Sequence, residues 1–175
     1  LKKSLAVLCT VLGLTGCAGV SPEVYHDQKP TLDLATYFNG PLTAWGYFAD
    51  RSGEVKRRFT VKMTGVWNGN EGVLTEHFDW SDGEKSQRIW RISKLDAHRY
   101  IGRADDVKGE AIGTAYGYAL QWKYTLLLPV DGKTYEVQFD DWMYLMGDDV
   151  MLNKSEMRKF GFKLGEVVIA FRKGS

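Results

Sequence analysis

The segment Leu120-Gln121-Trp122-Lys123-Tyr124-Thr125-Leu126-Leu127-Leu128 decides the fold class of the chain. Large apolar side chains stand at every second position of it, and Gln121, Lys123 and Thr125 stand between them. Side chains of a β-strand point alternately to the two faces of a sheet, so this period of two residues predicts a strand with one buried face. The stretch 58–67 alternates in the same way. We therefore expect a chain built from half-buried strands.

Turn signals separate such runs along most of the chain. In each of them Gly lies near Asn or Asp, which suits hairpin turns with positive φ. They are Asp50-Arg51-Ser52-Gly53, Asn68-Gly69-Asn70, Ser81-Asp82-Gly83 and Val130-Asp131-Gly132-Lys133. The runs between them predict strands at 42–49, 59–67, 73–80, 86–95, 98–104, 110–118, 120–128, 134–146 and 164–172. Residues 154–159, which follow Asn153, predict a short helical turn instead.

About ten antiparallel strands joined by short hairpins fit an all-β domain, either a sandwich or a barrel. We favour a single antiparallel up-and-down β-barrel, because closure removes exposed edges and the sequence offers no long crossover connection. A small closed barrel is either filled by its own side chains or has room for one small ligand. Which of the two applies decides the function.

The first residues have the layout of an export signal. Lys2 and Lys3 are basic, and the apolar stretch from Leu5 to Leu14 is too short to span a membrane. Leu14-Thr15-Gly16-Cys17 resembles the bacterial lipobox, which implies that residues 1–16 are a signal peptide and that Cys17 carries diacylglycerol. Ala18 stands where an Asp would be the usual inner-membrane retention signal. The resemblance thus predicts an outer-membrane lipoprotein of the bacterial cell envelope that faces the periplasm.

The remaining chain divides into a lipidated tether, 17–33, and one β-barrel domain, 34–175. Cys9 leaves with the signal peptide and Cys17 is capped, so no disulfide is expected. Removal of Lys2 and Lys3 reduces the 23 basic residues to 21 against 22 acidic ones, which gives the mature chain a net charge of −1. This near-neutral balance, without a long basic stripe, argues against a nucleic-acid partner.

A set of motifs is similar to those of one known family. They are Tyr37-Phe38-Asn39-Gly40-Pro41-Leu42, Trp45-Gly46, Asp50-Arg51-Ser52-Gly53, Phe139-Asp140-Asp141-Trp142-Met143-Tyr144 and Lys159-Phe160-Gly161-Phe162. Over nearly all of the mature chain the sequence resembles the domain of unknown function 3833 family of bacterial lipoproteins. The resemblance implies a lipocalin-like β-barrel behind a lipidated cysteine. It implies no mechanism, because the family has no established activity.

The most unusual run is 139–144, which places two carboxylates in an apolar strand. On a regular strand Asp141 shares one face with Val137 and Phe139, and a buried carboxylate there needs a partner. Arg88, Arg91 and Lys123 are candidate partners. Two interpretations remain open: a structural ion pair, or a polar anchor in a cavity formed by Asp140, Asp141, Arg88 and Arg91.

Large aromatic residues are the second feature, and aromatic residues make up 13% of the chain. Trp90, Trp122, Trp142 and Tyr144 are candidates for lining a pocket, since such rings grip apolar ligands. The alternative is that they simply pack the core. Gly113 and Gly117 would leave gaps on one strand that a neighbouring ring covers.

Catalytic constellations are mostly missing from the sequence. The barrel domain has only His77 and His98 and no free cysteine, so neither a metal site nor a Cys-His nucleophile is predicted, and no cofactor is expected. Glu76 and His77 should point to opposite faces of a strand, which leaves His77 exposed. Asp105-Asp106 predicts a solvated turn.

Three functions follow from these features, in this order of preference. The first is an outer-membrane-anchored protein that binds a small amphipathic or lipid-like molecule in a barrel cavity. The second is a structural or interaction lipoprotein without a ligand, marked by an exposed apolar patch. The third is an enzyme that uses Asp140 or Asp141 on an envelope metabolite, which requires a second polar group such as His77, Arg88, Arg91 or Tyr144 in the same pocket.

Overall fold

The computed structural model describes residues 19–174, so the predicted signal peptide and the lipidation of Cys17 lie outside the described residues. The described chain folds into a closed barrel of ten strands. These are β1 (Gly40–Asp50), β2 (Val55–Asn68), β3 (Glu71–Trp80), β4 (Lys85–Lys94), β5 (Arg99–Arg103), β6 (Ala111–Tyr116), β7 (Ala119–Val130), β8 (Lys133–Leu145), β9 (Val150–Lys159) and β10 (Phe162–Lys173). A 3-10 helix (Pro22–Tyr25) and one helical turn, α1 (Leu34–Tyr37), precede them.

Every strand pairs antiparallel with the next one in the chain, and β10 pairs with β1 to close the barrel. Since the order along the sheet is the order along the chain, the prediction of a single up-and-down barrel is confirmed. The turn at Asp131-Gly132 has positive φ at both residues, 50° and 74°, as its sequence indicates. No helix among residues 19–174 is long and apolar enough to cross a membrane.

The predicted helical turn at 154–159 is wrong, because these residues lie inside β9. Met151, Asn153, Ser155 and Met157 are buried on the inner face of β9. Two of these four inward side chains are polar, so the period of two residues is invisible when only apolar residues are counted. The polar inner face of β9 is a first sign that the barrel interior is unusual.

One end of the barrel, where β1 begins and β10 ends, is plugged by the residues that precede β1. Leu32, Leu34, Tyr37 and Phe38 are all buried and join the core there. The Asp33 side chain accepts a hydrogen bond from the Ala35 N–H (2.9 Å) and so caps α1. We call this the closed end.

The described part of the predicted tether, 19–33, is packed on the barrel and is not a free spacer. Pro22 is buried, and Tyr25 contacts the rings of Tyr118 and Tyr144, with centroid distances of 5.1 and 6.1 Å. The Leu32 N–H donates to the carbonyl of Gly117 (2.8 Å). The N-terminal segment therefore belongs to the folded unit from Pro22 onward.

The interior is tightly packed at the closed end, and its side chains are less buried toward the opposite end. Trp122 covers Gly102 and Gly113, where an added Cβ would overlap the ring, so the expected covering of Gly113 by a ring is confirmed. Toward the hairpins 80–85, 130–133 and 159–162, the inner face carries side chains that are only half-buried: Phe48, Phe78, Tyr124, Leu128 and Val167. Because they face inward, their exposed surface borders space inside the barrel or at its mouth. We call this part the open half.

Candidate functional site

Polar side chains from five strands meet on the inner face of the barrel. Glu76 on β3 is the register partner of Arg88 on β4, and Asp141 on β8 is the partner of Ser155 on β9. Tyr124 on β7 reaches Asp141 from the neighbouring strand: its hydroxyl donates to Oδ2 of the carboxyl group (3.2 Å). We call these five residues the interior polar cluster. Such a group inside a barrel is the default candidate for a binding site.

The guanidinium of Arg88 is held by an aspartate outside the cluster. Its Nε and Nη2 donate to Oδ2 of Asp106 at 2.9 and 2.6 Å. Asp105 and Asp106 lie in a turn, as predicted, and Asp105 is exposed, but the Asp106 carboxylate is turned toward β4 to pair with Arg88. Strands β5 and β6 are short, and the loop between them continues the wall by pairing Val107 with Leu126 of β7, which brings Asp106 to β4.

Two carboxyl groups of the cluster are almost fully buried: Glu76 is 8% exposed and Asp141 is 5% exposed. Oδ1 of Asp141 and Oε2 of Glu76 are buried without a hydrogen-bond partner in the described part of the chain. An unpaired buried acceptor costs about 1–3 kcal/mol of folding free energy. The cluster is thus a destabilising feature of the folded protein unless another group satisfies it.

Burial dominates the electrostatics of both carboxyl groups. Loss of solvation raises the pKa of Glu76 to about 7, and the positive charge of Arg88 offsets this only in part. Burial likewise raises the pKa of Asp141 to about 7, against the nearby hydroxyl of Ser155, the hydrogen bond from Tyr124 and the charge of Arg88. Burial and the nearby Asp141 raise the pKa of Tyr124 well above its usual value. Near neutral pH, Glu76 and Asp141 therefore exchange between charged and neutral forms.

The floor of the cluster is aromatic. Trp90 packs edge-on against Trp122 (centroids 5.9 Å apart) and against Tyr124 (5.5 Å), and both tryptophans are buried on the inner face. Toward the open end, Phe59, Phe78 and Trp80 form a second group, with centroid separations of 5.0 to 5.8 Å. We call Phe59, Phe78 and Trp80 the aromatic wall.

Four of the eight side chains predicted for the cavity face the interior: Asp141, Arg88, Trp90 and Trp122. The other four predictions are wrong, because consecutive residues of a strand point to opposite faces. Asp140 lies on the outer face and accepts a hydrogen bond from Nε2 of Gln121 (2.7 Å). Arg91 is exposed, and Trp142 and Tyr144 stack on each other outside the barrel (6.1 Å).

The sequence prediction missed Glu76, Tyr124 and Ser155 as site residues. Glu76 belongs to the alternation Leu74, Glu76, Phe78, which places it on the inner face, as the register confirms. His77 is exposed, as predicted, so it cannot join Asp141 in an acid–base pair. Among residues 19–174 no group of three or more His, Cys, Asp or Glu is arranged to hold a metal ion.

Surface depressions offer less chemistry than the interior. One of about 460 Å³ lies on β7 to β9, where its polar side chains are held in contacts such as those of Asp140 with Gln121 and of Lys108 with Glu136 (2.6 Å). Another of about 540 Å³ lies outside β1 to β3 and β10, over Trp45 and Val168. Both are shallow and open to solvent, so the interior polar cluster remains the candidate site.

Comparison with known proteins gives a family and a fold. The profile of the family described as "Protein of unknown function (DUF3833)" matches residues 11–173. No curated protein sequence matches the chain. Among solved structures, Rv2717c from M. tuberculosis is 12% identical, with a TM-score of 0.60, over 85% of this chain and 100% of that one. A protein of unknown function from the DUF3598 family of Nostoc punctiforme is 9% identical, with a TM-score of 0.57, over 84% of this chain. The present chain spans about half (51%) of the length of that protein.

The raised pKa values make the stability depend on pH in a defined direction. Between their ordinary pKa values, 4.5 and 3.8, and about 7, Glu76 and Asp141 hold more protons in the folded protein than in the unfolded chain. The contribution of these two groups to the free energy of unfolding is therefore largest at low pH and falls as the pH rises toward 7. We predict that Asp141→Asn raises the free energy of unfolding at about pH 8 by on the order of 3 kcal/mol and flattens its pH dependence.

Urea denaturation at about pH 5 and pH 8 measures this effect. Asp140→Asn is the matched control, because Asp140 precedes Asp141 on the same strand and points outward. The control should keep the pH dependence of the parent chain. An unchanged pH dependence in Asp141→Asn would contradict the assigned burial of its carboxyl group.

Proposed function

The chain belongs to the DUF3833 family of proteins of unknown function, and from the geometry of its barrel we propose that it binds a small amphipathic or lipid-like molecule. The observation that carries the proposal is the interior polar cluster at the base of an aromatic-lined open half whose inward side chains are only half-buried. An amphipathic ligand matches both surfaces: its polar group meets the cluster and its apolar part meets the aromatic wall.

The asymmetry of the barrel supports this function. The closed end is plugged by Leu32, Leu34, Tyr37 and Phe38, so a ligand enters through the open half. Inward side chains there keep exposed surface, and covering this surface with the apolar part of a ligand would contribute about 25 cal/mol for each Å². The likeness to other barrels shows the fold alone, so the proposal rests on the side chains of this chain.

Filling the open half from one inward position should prevent binding. Val167 is half-buried and faces inward beside Phe48, whereas Val168 faces the outer depression. We predict that Val167→Trp weakens binding of the neutral dye N-phenyl-1-naphthylamine by about tenfold or more, because the indole occupies the ligand space. A fluorescence titration measures the dissociation constant.

Val168→Trp is the matched control and should bind the dye as the parent chain does. Thermal unfolding of both variants checks that they fold, and Val167→Phe provides a smaller substitution if the larger one disrupts the barrel. Equal dye affinity of the folded Val167 variant and the parent chain would contradict a ligand site in the open half.

The sequence at the N-terminus supports an envelope location for this binding protein. In the proposal Cys17 carries lipid and anchors the chain to the periplasmic face of the outer membrane. Pro22 is seated on the barrel near the closed end, and the five residues from Cys17 to Pro22 can span at most about 18 Å. The lipid therefore holds the closed end of the barrel next to the bilayer.

Lipid attachment predicts a specific mass and a specific fractionation. The mature protein from an envelope fraction should begin at Cys17 and carry a diacylglyceryl group with an acylated amine. Cys17→Ser should release the protein from the membrane fraction, because a single residue carries the whole anchor. Intact-protein mass spectrometry that finds an unmodified Cys17 in the mature chain would contradict the anchor.

An exposed apolar tip favours a second role, attachment to a surface. Phe160 and Phe162, in the hairpin between β9 and β10, are 85% and 76% exposed. Phe160 has a φ of 51°, a left-handed conformation that costs a residue with a bulky side chain about 1 kcal/mol and that Asn or Gly adopts easily. The folded chain gains little from this ring, which points to a contact outside the barrel.

We propose that this tip, residues 157–164, contacts an anionic lipid surface. It carries Arg158, Lys159 and Lys163. Arg158 and Lys163 pair with Glu156 and Glu166, which flank the tip, and Lys159 has no carboxylate partner in the described chain, so it is the charge that suits a negative surface. The tip lies at the open end, and β10 separates it from the closed end by 12 residues, or about 40 Å. The barrel would then contact the bilayer at two points, through the lipid at Cys17 and through the tip, and would lie along its surface.

Phe160→Asn tests the tip without damaging the turn. Asn-Gly is the preferred sequence for a turn with two positive φ values, so the variant should be at least as stable as the parent chain. We predict that it binds phosphatidylglycerol vesicles about tenfold more weakly in a sedimentation assay, since one buried ring is lost. Both proteins carry Cys17→Ser, so any affinity of the shared N-terminal segment cancels.

Phosphatidylcholine vesicles provide the control for charge and should bind the parent chain more weakly. Equal affinity of Phe160→Asn and the parent chain would contradict lipid contact through the tip. Absence of binding to either vesicle would also contradict it, and would leave a protein partner as the occupant of this surface.

A further inference from the structure

We infer that the group bound by the interior polar cluster is a cationic hydrogen-bond donor, and that the ligand is a primary amine attached to an apolar chain. The inference rests on the proposed function, because it names the chemistry of the molecule that occupies the open half. It follows from the hydrogen bonds and charges that the cluster leaves unsatisfied.

Glu76 is the first observation. Its side chain makes no hydrogen bond and no ion pair within 4 Å among residues 19–174, although it is only 8% exposed and faces inward beside Arg88. An unpartnered carboxylate so deep in a protein needs donors, and water or a ligand must supply them. The N–H groups of an ammonium ion are such donors.

The charge of the cluster is the second observation. Arg88 is the cation of the cluster, and its guanidinium is already held by Asp106 at 2.6 Å. When Glu76 and Asp141 ionise, Arg88 is therefore the one cation of the cluster in the described chain and is shared among three carboxylates, those of Glu76, Asp106 and Asp141. A ligand with a positive charge would balance these carboxylates and favour their ionised forms.

An anionic ligand would meet the opposite situation. A carboxylate entering the barrel would come next to Glu76, Asp106 and Asp141, and the guanidinium that could receive it is already paired. Tyr124 offers a hydroxyl, but this hydroxyl donates to Asp141. Repulsion and desolvation therefore act against a fatty-acid anion at the cluster.

The path to the cluster suits an amine with an apolar chain. The aromatic wall lies between the open end and Glu76. The guanidinium of Arg57 already lies over the Trp80 ring (4.1 Å), where Asp82 and Glu84 pair with it, so the wall offers the ligand apolar contact and no free site for a cation. Once the amine has reached the carboxylates, the chain lies against the half-buried side chains of Phe48, Phe78 and Val167. A small polyamine without a chain would leave this surface uncovered.

Three probes with the same chain length separate the possibilities by isothermal titration calorimetry: octylamine, octanol and octanoate. We expect octylamine to bind at least about tenfold more tightly than octanoate, with octanol between them. The preference should grow from about pH 6 to pH 8, because Glu76 and Asp141 lose their protons over this range while Arg88, Tyr124 and the amine keep their charge states.

Variants assign the preference to the cluster. Glu76→Gln and Asp141→Asn should each reduce the ratio of octylamine to octanol affinity by about tenfold while octanol still binds, because they remove negative charge and keep the shape of the side chain. Asp140→Asn is the matched control and should leave the ratio unchanged. If both interior variants keep the full ratio, the cluster does not select the ligand and the inference is overturned.

The outcomes also separate this inference from the proposed function. Octanoate or octanol binding as tightly as octylamine would overturn the amine and leave the ligand site standing. Failure of all three probes, together with the neutral dye, would overturn both. A comparison of lysophosphatidylethanolamine with octylamine tests whether the bound amine belongs to a lipid headgroup or to a free amine. Putrescine binding as tightly as octylamine would overturn the need for an apolar chain.

Discussion

The hydrogen-bonded pairing of β1 with β10 is the contact on which the rest of the structure depends. Nine residue pairs, from Leu42 with Lys173 to Asp50 with Gly165, turn an open meander into a closed wall. Closure removes the two edges that would otherwise expose unpaired backbone groups. It also divides the side chains of every strand into an inner and an outer set, since neighbours along a strand alternate. Each residue of the interior polar cluster is inside because of this division.

The same division into inner and outer side chains explains how much of the fold and of the site the sequence predicts. Alternation in β7 indicates the inner positions of Trp122 and Tyr124, and the turn signals place nine of the ten strands. The sequence of the tenth strand, β9, predicts a helical turn instead, because Asn153 and Ser155 are polar and still face inward. The acidic and aromatic run 139–144, taken as one motif, predicts Asp140 in the cavity together with Asp141. Strict alternation would have excluded Asp140, Trp142 and Tyr144.

The meeting of Glu76 with Asp141 could not be predicted from local sequence. The two residues are 65 positions apart, on strands that are not neighbours, and what brings them to the same level is the stagger of the whole sheet. The register of each pair of strands depends on turn lengths and bulges, such as the shift between Phe48 and Ala49, and these add up around the barrel. Sequence patterns show which face a residue occupies. The depth at which it meets residues from the opposite wall depends on the assembled sheet.

In the proposed function, one end of the barrel stabilises the fold and the other end binds the ligand. At the closed end, Leu42, Tyr100, Leu120 and Met151 are at most 2% exposed, and the plug before β1 completes an apolar core. This core stabilises the fold, so the open half can hold carboxyl groups whose burial is unfavourable. Charges that destabilise a folded protein are common where a ligand is bound, because the ligand supplies the missing partners. Glu76 is buried and has no hydrogen bond in the described chain, and in the proposed function the ligand supplies the partner that the fold does not.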